Sequence, residues 1–249
     1  MKNESCSIPE LSVVLPAFNE EAVLPYSLAM AVSALEGLCR SWEIVVVDDG
    51  SIDGTPRVLA ELAQNEPRIR VLTQKGNQGY GAALVRGFQS CRYNAIFYTD
   101  ADAQFDLAEL ALAYPLLAEA DLVTGWRCNR QDPWPRKLAS AGFNLLQGLM
   151  LGVQVRDVDC AFKLFRRSFF ERVHLTSRRF LIDAEIYARS QRAGLRLRQL
   201  PVTHFPRAAG RSTVRPTAVW RAVCDLCGLA VALRRQEQEA RGAELTCES

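Results

Sequence analysis

The chain has 249 residues, 49% of them apolar, and a formal net charge of +2. That length allows one large domain or two small ones with a substantial core. The near-neutral charge gives no reason to expect nucleic acid as a partner, and no apolar run is long enough to cross a bilayer. Residues 1–8 are polar and do not resemble a secretion signal, and the eight cysteines are scattered without a secreted framework. Free thiols in a reducing cytoplasm are therefore expected.

In chain order, the aliphatic run Leu11–Leu15 predicts a buried strand that ends at Pro16-Ala17-Phe18-Asn19-Glu20. A helix is expected from about Glu20 to Leu38, with acidic residues in its first turn. Trp42–Val47 reads as a strand covered on both faces, ending at Asp48-Asp49-Gly50-Ser51 and followed by Asp53-Gly54-Thr55. A helix to about Asn65 follows. The third strand, Ile69–Leu72, opens into Gly76-Asn77-Gln78-Gly79-Tyr80-Gly81 and a helix to about Cys91. Ala95-Ile96-Phe97 is a fourth strand, and it stops at Tyr98-Thr99-Asp100-Ala101-Asp102-Ala103-Gln104. A helix over about Leu107–Ala118 precedes the fifth strand, Asp121–Thr124, which ends at Gly125-Trp126-Arg127. A long apolar helix is expected over Leu138–Leu151. The expected organisation is a tail over 1–10, one α/β domain over 11–215, an amphipathic helix over 216–235 and a structureless polar tail over 236–249. Cys224-x-x-Cys227, without a second pair at zinc spacing, reads as packing within that helix.

Strands alternating with helices predict right-handed crossovers and a central, mostly parallel sheet. Ligands of such sheets bind outside the carboxyl ends of the strands, where the polar clusters above fall. Asp100 and Asp102 share a face while the chain stays extended. Two carboxylates that close repel unless a cation joins them or one takes a proton. Mg2+ or Mn2+ takes oxygen ligands of this kind and shares them with substrate phosphates; Gln104 adds a neutral oxygen. A solvated acidic turn explains D-x-D equally well when it stands alone. No G-x-G-x-x-G opens the first helix and no G-x-x-x-x-G-K-S/T exists, which argues against a dehydrogenase-type dinucleotide fold and a P-loop NTPase.

Four motifs in order then carry a resemblance: Leu15–Glu20, Val46–Thr55, Asn77-x-Gly79-x-Gly81 and Asp100-Ala101-Asp102. They resemble the family 2 glycosyltransferases of the GT-A fold. More narrowly, the chain is similar from about Leu11 to Ser212 to the dolichol-phosphate mannose synthase branch, whose members glycosylate a polyprenyl phosphate. The resemblance implies a single Rossmann-like GT-A domain. It places Pro16, Ala17, Glu20, Asp48, Asp49, Gly79, Asp100, Ala101 and Arg207 on a nucleotide-sugar donor of the GDP-mannose or UDP-glucose type. It puts Asp100, Asp102 and Gln104 on Mg2+ or Mn2+. Arg127, Arg136 and Ser140 would grip the acceptor phosphate, and Asp159 would touch the sugar hydroxyls or the acceptor. Asp102, Arg127 and Asp159 are the catalytic candidates; His204 reads as structural.

The acceptor class follows from chemistry. An alcohol needs a general base, with Asp159, Asp183 or Glu185 as candidates. A phosphate monoester, with a second pKa of about 6, is already an anion. Arginines near the acceptor region favour the phosphate, with inversion by a single displacement. A same-fold transfer to a sugar hydroxyl is the alternative. A sugar nucleotidyltransferase would need a glycine-rich, Arg/Lys-bearing loop after the first strand, and a silent binder would not need both aspartates. A polyprenyl acceptor implies work at the membrane face. Val219–Leu233, interrupted by Arg221 and Asp225, reads equally as an interfacial helix, core packing or a homodimer contact.

Overall fold

The computed structural model describes residues 7–128, 134–206 and 216–247, except for the side chains of 134–140, 216–221, 237 and 240–247. The expectations for Arg136, Ser140 and Arg207 lie outside the described residues. The elements are β1 (Ile8–Ala17), α1 (Leu24–Leu38), β2 (Cys39–Asp48), α2 (Thr55–Asn65), β3 (Ile69–Thr73), α3 (Tyr80–Ser90) and β4 (Ala95–Tyr98). They continue with α4 (Leu110–Ala113), β5 (Leu122–Cys128), α5 (Trp134–Leu151), β6 (Lys163–Arg166), α6 (Ser168–Arg172), α7 (Ile182–Arg192), β7 (Leu197–Thr203) and α8 (Pro216–Cys247).

These strands form a seven-stranded sheet in the order β3-β2-β1-β4-β6-β5-β7. All run in one direction except β6, which is antiparallel to both β4 and β5. Val13–Leu15 and Ile44–Val47 are buried continuously, as strands covered on both faces must be. The chain winds outward through β1, β2 and β3, then returns to place β4 on the other side of β1. That reversal opens a crevice at the carboxyl ends of β1 and β4, where such sheets bind ligands.

Several details differ from the sequence expectation. α1 begins at Leu24, because the amides of Val23 and Leu24 both donate to the Glu20 carbonyl in a preceding turn. β1 starts at Ile8, inside the expected tail, because it pairs with Cys39. Residues 107–118 break into 3-10 and α turns around Pro115, which lacks an amide donor. α8 continues through residues 236–247, expected to be structureless. Cys224 and Cys227 are exposed on it, whereas Leu226, Leu229, Ala230 and Leu233 are buried. Among the described residues no helix is long and apolar enough to cross a membrane.

At the end of the sheet away from the crevice, buried Glu43 ties three segments together. It accepts from Ser12 Oγ at 2.7 Å and from the Arg92 amide at 2.6 Å, and it pairs with Arg70 at 2.7 Å. Removing one partner of a buried ion pair leaves charge uncompensated. Glu43→Ala should cost roughly 3 kcal/mol. At 2–4 °C per kcal/mol that is a fall in Tm of about 6–12 °C, readable by thermal denaturation.

Candidate active site

The loops after β1 and β2 are stitched to each other. The Asn19 amide donates to Ser51 Oγ at 2.9 Å, and Asn19 Oδ1 accepts from the Ile52 amide at 2.9 Å. The Glu20 amide donates to Thr55 Oγ1 at 2.9 Å, and Glu21 accepts from the Gly54 amide at 2.7 Å. Asn19 takes a left-handed φ of 56° to make this turn. Most of the Asp48–Thr55 motif is thus occupied with holding two loops in register. Asp48 stands apart. Its Oδ1 accepts from the Ser51 amide at 2.9 Å, while its Oδ2 is buried at the crevice end of β2 with no hydrogen-bond partner among the described residues. A buried acceptor left open in this way awaits a donor. Pro16 and Ala17, the last residues of β1, pair with Val47 and Asp48 beside it.

Asp49 has a different task. Its carboxylate accepts from Gln74 Nε2 and from the Gln78 and Gly79 amides, each at 2.8 Å. It therefore shapes the glycine loop rather than facing a ligand. Gly79 adopts a φ of +103°, and a Cβ there would strike the carbonyl oxygen of Arg178. Only glycine fits.

β4 delivers Asp100 and Asp102 to the crevice. Asp100 is half-buried and Asp102 buried. Asp102 Oδ1 accepts from the Gln104 amide at 3.2 Å, across Ala103, which also holds a left-handed φ of 56°. Burial, then the charge of Asp102, pushes the Asp100 carboxyl up to about 7, against the hydrogen bond from Tyr80. Two oxygen-donor carboxylates this close, one of them raising the cost of ionising Asp100, suit a hard divalent cation. Among the described residues no third carboxylate, His or Cys joins them in a metal-ligating group. Gln104 Nε2 donates to the Phe205 carbonyl at 2.9 Å, and the Phe205 amide returns a bond to Gln104 O at 2.8 Å. That clamp brings the segment leading to Arg207 alongside the aspartates. His204 packs edge-on against Phe105, in keeping with a structural role.

The other half of the site comes from β5, β6, α7 and the loop before β6. Arg127 makes a bidentate pair with Asp157, both bonds at 2.7 Å. Asp159 is half-buried; burial and then the charge of Asp183 push its carboxyl up to about 6. Among the described residues no side chain hydrogen-bonds its carboxylate. Lys163, fully buried, donates to Asp183 Oδ1 at 2.7 Å. Burial alone would raise the Glu185 carboxyl, but bonds from Ser177, Thr176 and Arg189 outweigh it and hold it below the ordinary range. Those bonds run at 2.6–3.0 Å. Asp100, Asp102, Asp159 and Arg127 thus lie with the loops after β1 and β2 around one sheet edge. Sequence reasoning missed the roles of Tyr80, Tyr98, Asp157 and Lys163. Tyr80 and Tyr98 were visible only as neighbours of the glycine loop and of D-x-D.

A family model described as "Glycosyl transferase family 2" matches residues 12–173. The chain belongs to that family. It is 34% identical over 208 residues to the glycosyltransferase AglD of Haloferax volcanii, covering 80% of this chain and 33% of that one. It is 34% identical over 212 residues to the undecaprenyl-phosphate 4-deoxy-4-formamido-L-arabinose transferase of Aeromonas hydrophila, covering 81% and 62%. It is 30% identical to the dodecaprenyl-phosphate galacturonate synthase of Rhizobium johnstonii, covering 93% and 70%. The chain therefore spans a third of the first relative and under two thirds of the second. The GT-A fold is shared with glucosyl-3-phosphoglycerate synthase from Mycobacterium tuberculosis bound to Mn2+, UDP-glucose and phosphoglyceric acid. There the TM-score is 0.68 at 18% identity, over 90% of this chain and 79% of that one.

The raised Asp100 pKa has a sign that can be tested. The folded chain holds a proton up to about 7 that the unfolded chain releases near 3.8. This contribution to stability is present below the unfolded value and lost as pH rises through the folded one. Metal-free Asp100→Asn should therefore melt above the unsubstituted chain at pH 8, by about 2–4 °C per kcal/mol regained. The gap should close toward pH 4. Differential scanning fluorimetry in EDTA reads it, and an equal gap at both pH values would contradict the assignment.

Proposed function

We propose that this chain catalyses metal-assisted, inverting transfer of a sugar from a nucleoside diphosphate sugar, of the GDP-mannose or UDP-glucose type, to a polyprenyl phosphate. One observation carries the choice of acceptor: both carboxylates of α7 are engaged. Asp183 is held by Lys163, and Glu185 by residues 176, 177 and 189. Neither is free to take a proton from an alcohol, as a hydroxyl acceptor requires. A phosphate monoester, ionised a second time at about pH 6, brings its own negative oxygen. The undecaprenyl- and dodecaprenyl-phosphate relatives support the same class of acceptor.

In this reading the open Asp48 Oδ2 accepts from the donor's base, and Pro16, Ala17 and Glu20 wall that pocket. Asp49 and Gly79 set the loop beside it. Asp100 and Asp102 would hold Mg2+ or Mn2+, with Gln104 contributing its amide oxygen and diphosphate oxygens the rest. Bound there, the cation would stabilise negative charge on the departing diphosphate. The Mn2+ and UDP-glucose in the solved relative support this use of the fold. Arg127, aimed by Asp157, keeps guanidinium N–H groups for the acceptor phosphate, and Arg136 and Ser140 of α5 would join it. Asp159 orients a sugar hydroxyl, and Arg207 closes on the donor. The acceptor oxygen forms its bond to the anomeric carbon as the bond to the diphosphate breaks, and the nucleoside diphosphate leaves. Leu145 and Leu149, exposed one turn apart on α5, supply apolar surface for a peripheral seat at the membrane.

A second reading rests on Asp159, whose raised pKa of about 6 and open carboxylate would suit a base for a hydroxyl acceptor. The two readings part on Asp159→Asn. With undecaprenyl phosphate, kcat/KM should rise through about pH 6 because the acceptor ionises there. The variant should keep that limb, with kcat reduced about tenfold, as expected when one transition-state contact is lost. Loss of the limb in the variant, together with transfer to a sugar hydroxyl by the unsubstituted chain, would move the assignment to the second reading.

A further inference from the structure

Resting on the donor-site reading above, the geometry points to Tyr80 and Tyr98 as positioning residues. They fix the Asp100 carboxylate for its divalent cation and are themselves anchored on the buried Lys163–Asp183 pair. The four groups form one unbroken line. Tyr80 OH donates to Asp100 Oδ1 at 2.8 Å, and the two phenol oxygens lie 2.5 Å apart. Tyr98 OH lies 3.2 and 3.4 Å from the Asp183 oxygens, and Lys163 Nζ lies 2.7 Å from Asp183 Oδ1. The remaining donors of Lys163 go to the carbonyls of Val158 at 3.2 Å and Cys160 at 2.5 Å.

With a cation holding Asp100 as the carboxylate, Tyr80 OH donates to Asp100 Oδ1 and takes its own support from Tyr98. The Asp183 contacts are long for an O–H···O bond, and the phenol–phenol contact is short. Asp183 draws its shortest bond from Lys163, and the Tyr98 hydroxyl, in reach of both Asp183 and Tyr80, backs the Tyr80 hydroxyl from the side away from Asp100.

Neither ring can swing away. Tyr98 is fully buried in β4, with Phe88 and Tyr80 edge-on to it at 6.1 and 6.4 Å. Tyr80 opens α3 directly after Gly79, whose amide Asp49 holds and whose Cα face abuts Arg178. Two residues on, the Ala82 amide donates to the Arg178 carbonyl at 3.1 Å. Outer-shell hydrogen bonds orient metal ligands, and losing one typically costs 10–100-fold in metal affinity. A pair of tyrosines that only filled the core would leave metal affinity untouched when a hydroxyl is removed.

The test is Mn2+ binding, followed by electron paramagnetic resonance, to the full chain and to Tyr80→Phe and Tyr98→Phe. Each titration is run with UDP and with GDP present. The unsubstituted chain should bind Mn2+ in the presence of at least one diphosphate. Tyr80→Phe should weaken Mn2+ binding about tenfold and Tyr98→Phe by a smaller factor. Melting temperature should fall by only a few degrees, metal-free nucleotide affinity should stay unchanged, and the Mn2+ concentration giving half-maximal turnover should rise by the same factor. Should Tyr80→Phe fail to fold, Tyr98→Phe carries the comparison. Unchanged Mn2+ affinity in a folded variant overturns the positioning role and leaves the donor site standing. No Mn2+ binding by the unsubstituted chain with either diphosphate overturns both.

Discussion

Negative charge held half out of water at the carboxyl end of β4 is the constraint on which the rest of the structure depends. Asp100, Asp102, Asp159 and Asp183 all lie at or near that edge, and burial works against the ionised form of each group whose shift is resolved. A buried carboxylate is tolerated only with a charge or hydrogen bonds to match. The protein provides them unevenly. Asp183 has Lys163, Asp157 has Arg127, and Glu185 has two backbone amides, a hydroxyl and a guanidinium. Asp100 has a single phenol, and Asp159 has no side-chain partner among the described residues. The groups supplied fully act as scaffold; those supplied thinly are the ones that the proposed function assigns to cation and sugar.

The sheet explains how this division is built. The antiparallel strand β6 is slotted between β4 and β5, and its register sets Lys163 opposite both Tyr98 and Thr124. One lysine therefore sits where three strands meet, sealed from water, and reaches Asp183 of α7 from below. The same placement ties the half that carries D-x-D to the half that carries Arg127 and Asp159. At the other half of the edge, long-range hydrogen bonds between the β1 and β2 loops do the equivalent work. Family membership and the GT-A fold agree with this arrangement.

Much of this was legible in the sequence. The aliphatic runs, the alternation of strand and helix, and the polar cluster closing each strand identified the sheet and the edge where its polar side chains gather. The motifs also led to Asp48, Asp100, Asp102, Arg127 and Asp159, which the fold gathers at that edge. The division of labour within the motifs was not legible. Asp49 sits next to Asp48 yet serves a loop some 30 positions away. β6 has four residues, too few to show an alternating pattern. Nothing local to Lys163 marks it as buried; only the placement of its strand at the centre of the sheet does so. Glu185 reads as a site carboxylate until the backbone of residues 176 and 177 is seen to fold onto it. In each case the deciding partner is distant in sequence, and local propensity carries no record of it.

The most direct test of the central claim is the chemical nature of the product formed from a labelled nucleoside diphosphate sugar. The assay would contain purified chain, Mn2+ and undecaprenyl or dolichyl phosphate in detergent. A metal-dependent, acid-labile, lipid-soluble glycosyl phosphate of inverted anomeric configuration is the result predicted here. An acid-stable glycoside, formed only when a sugar hydroxyl is offered as acceptor, would contradict it.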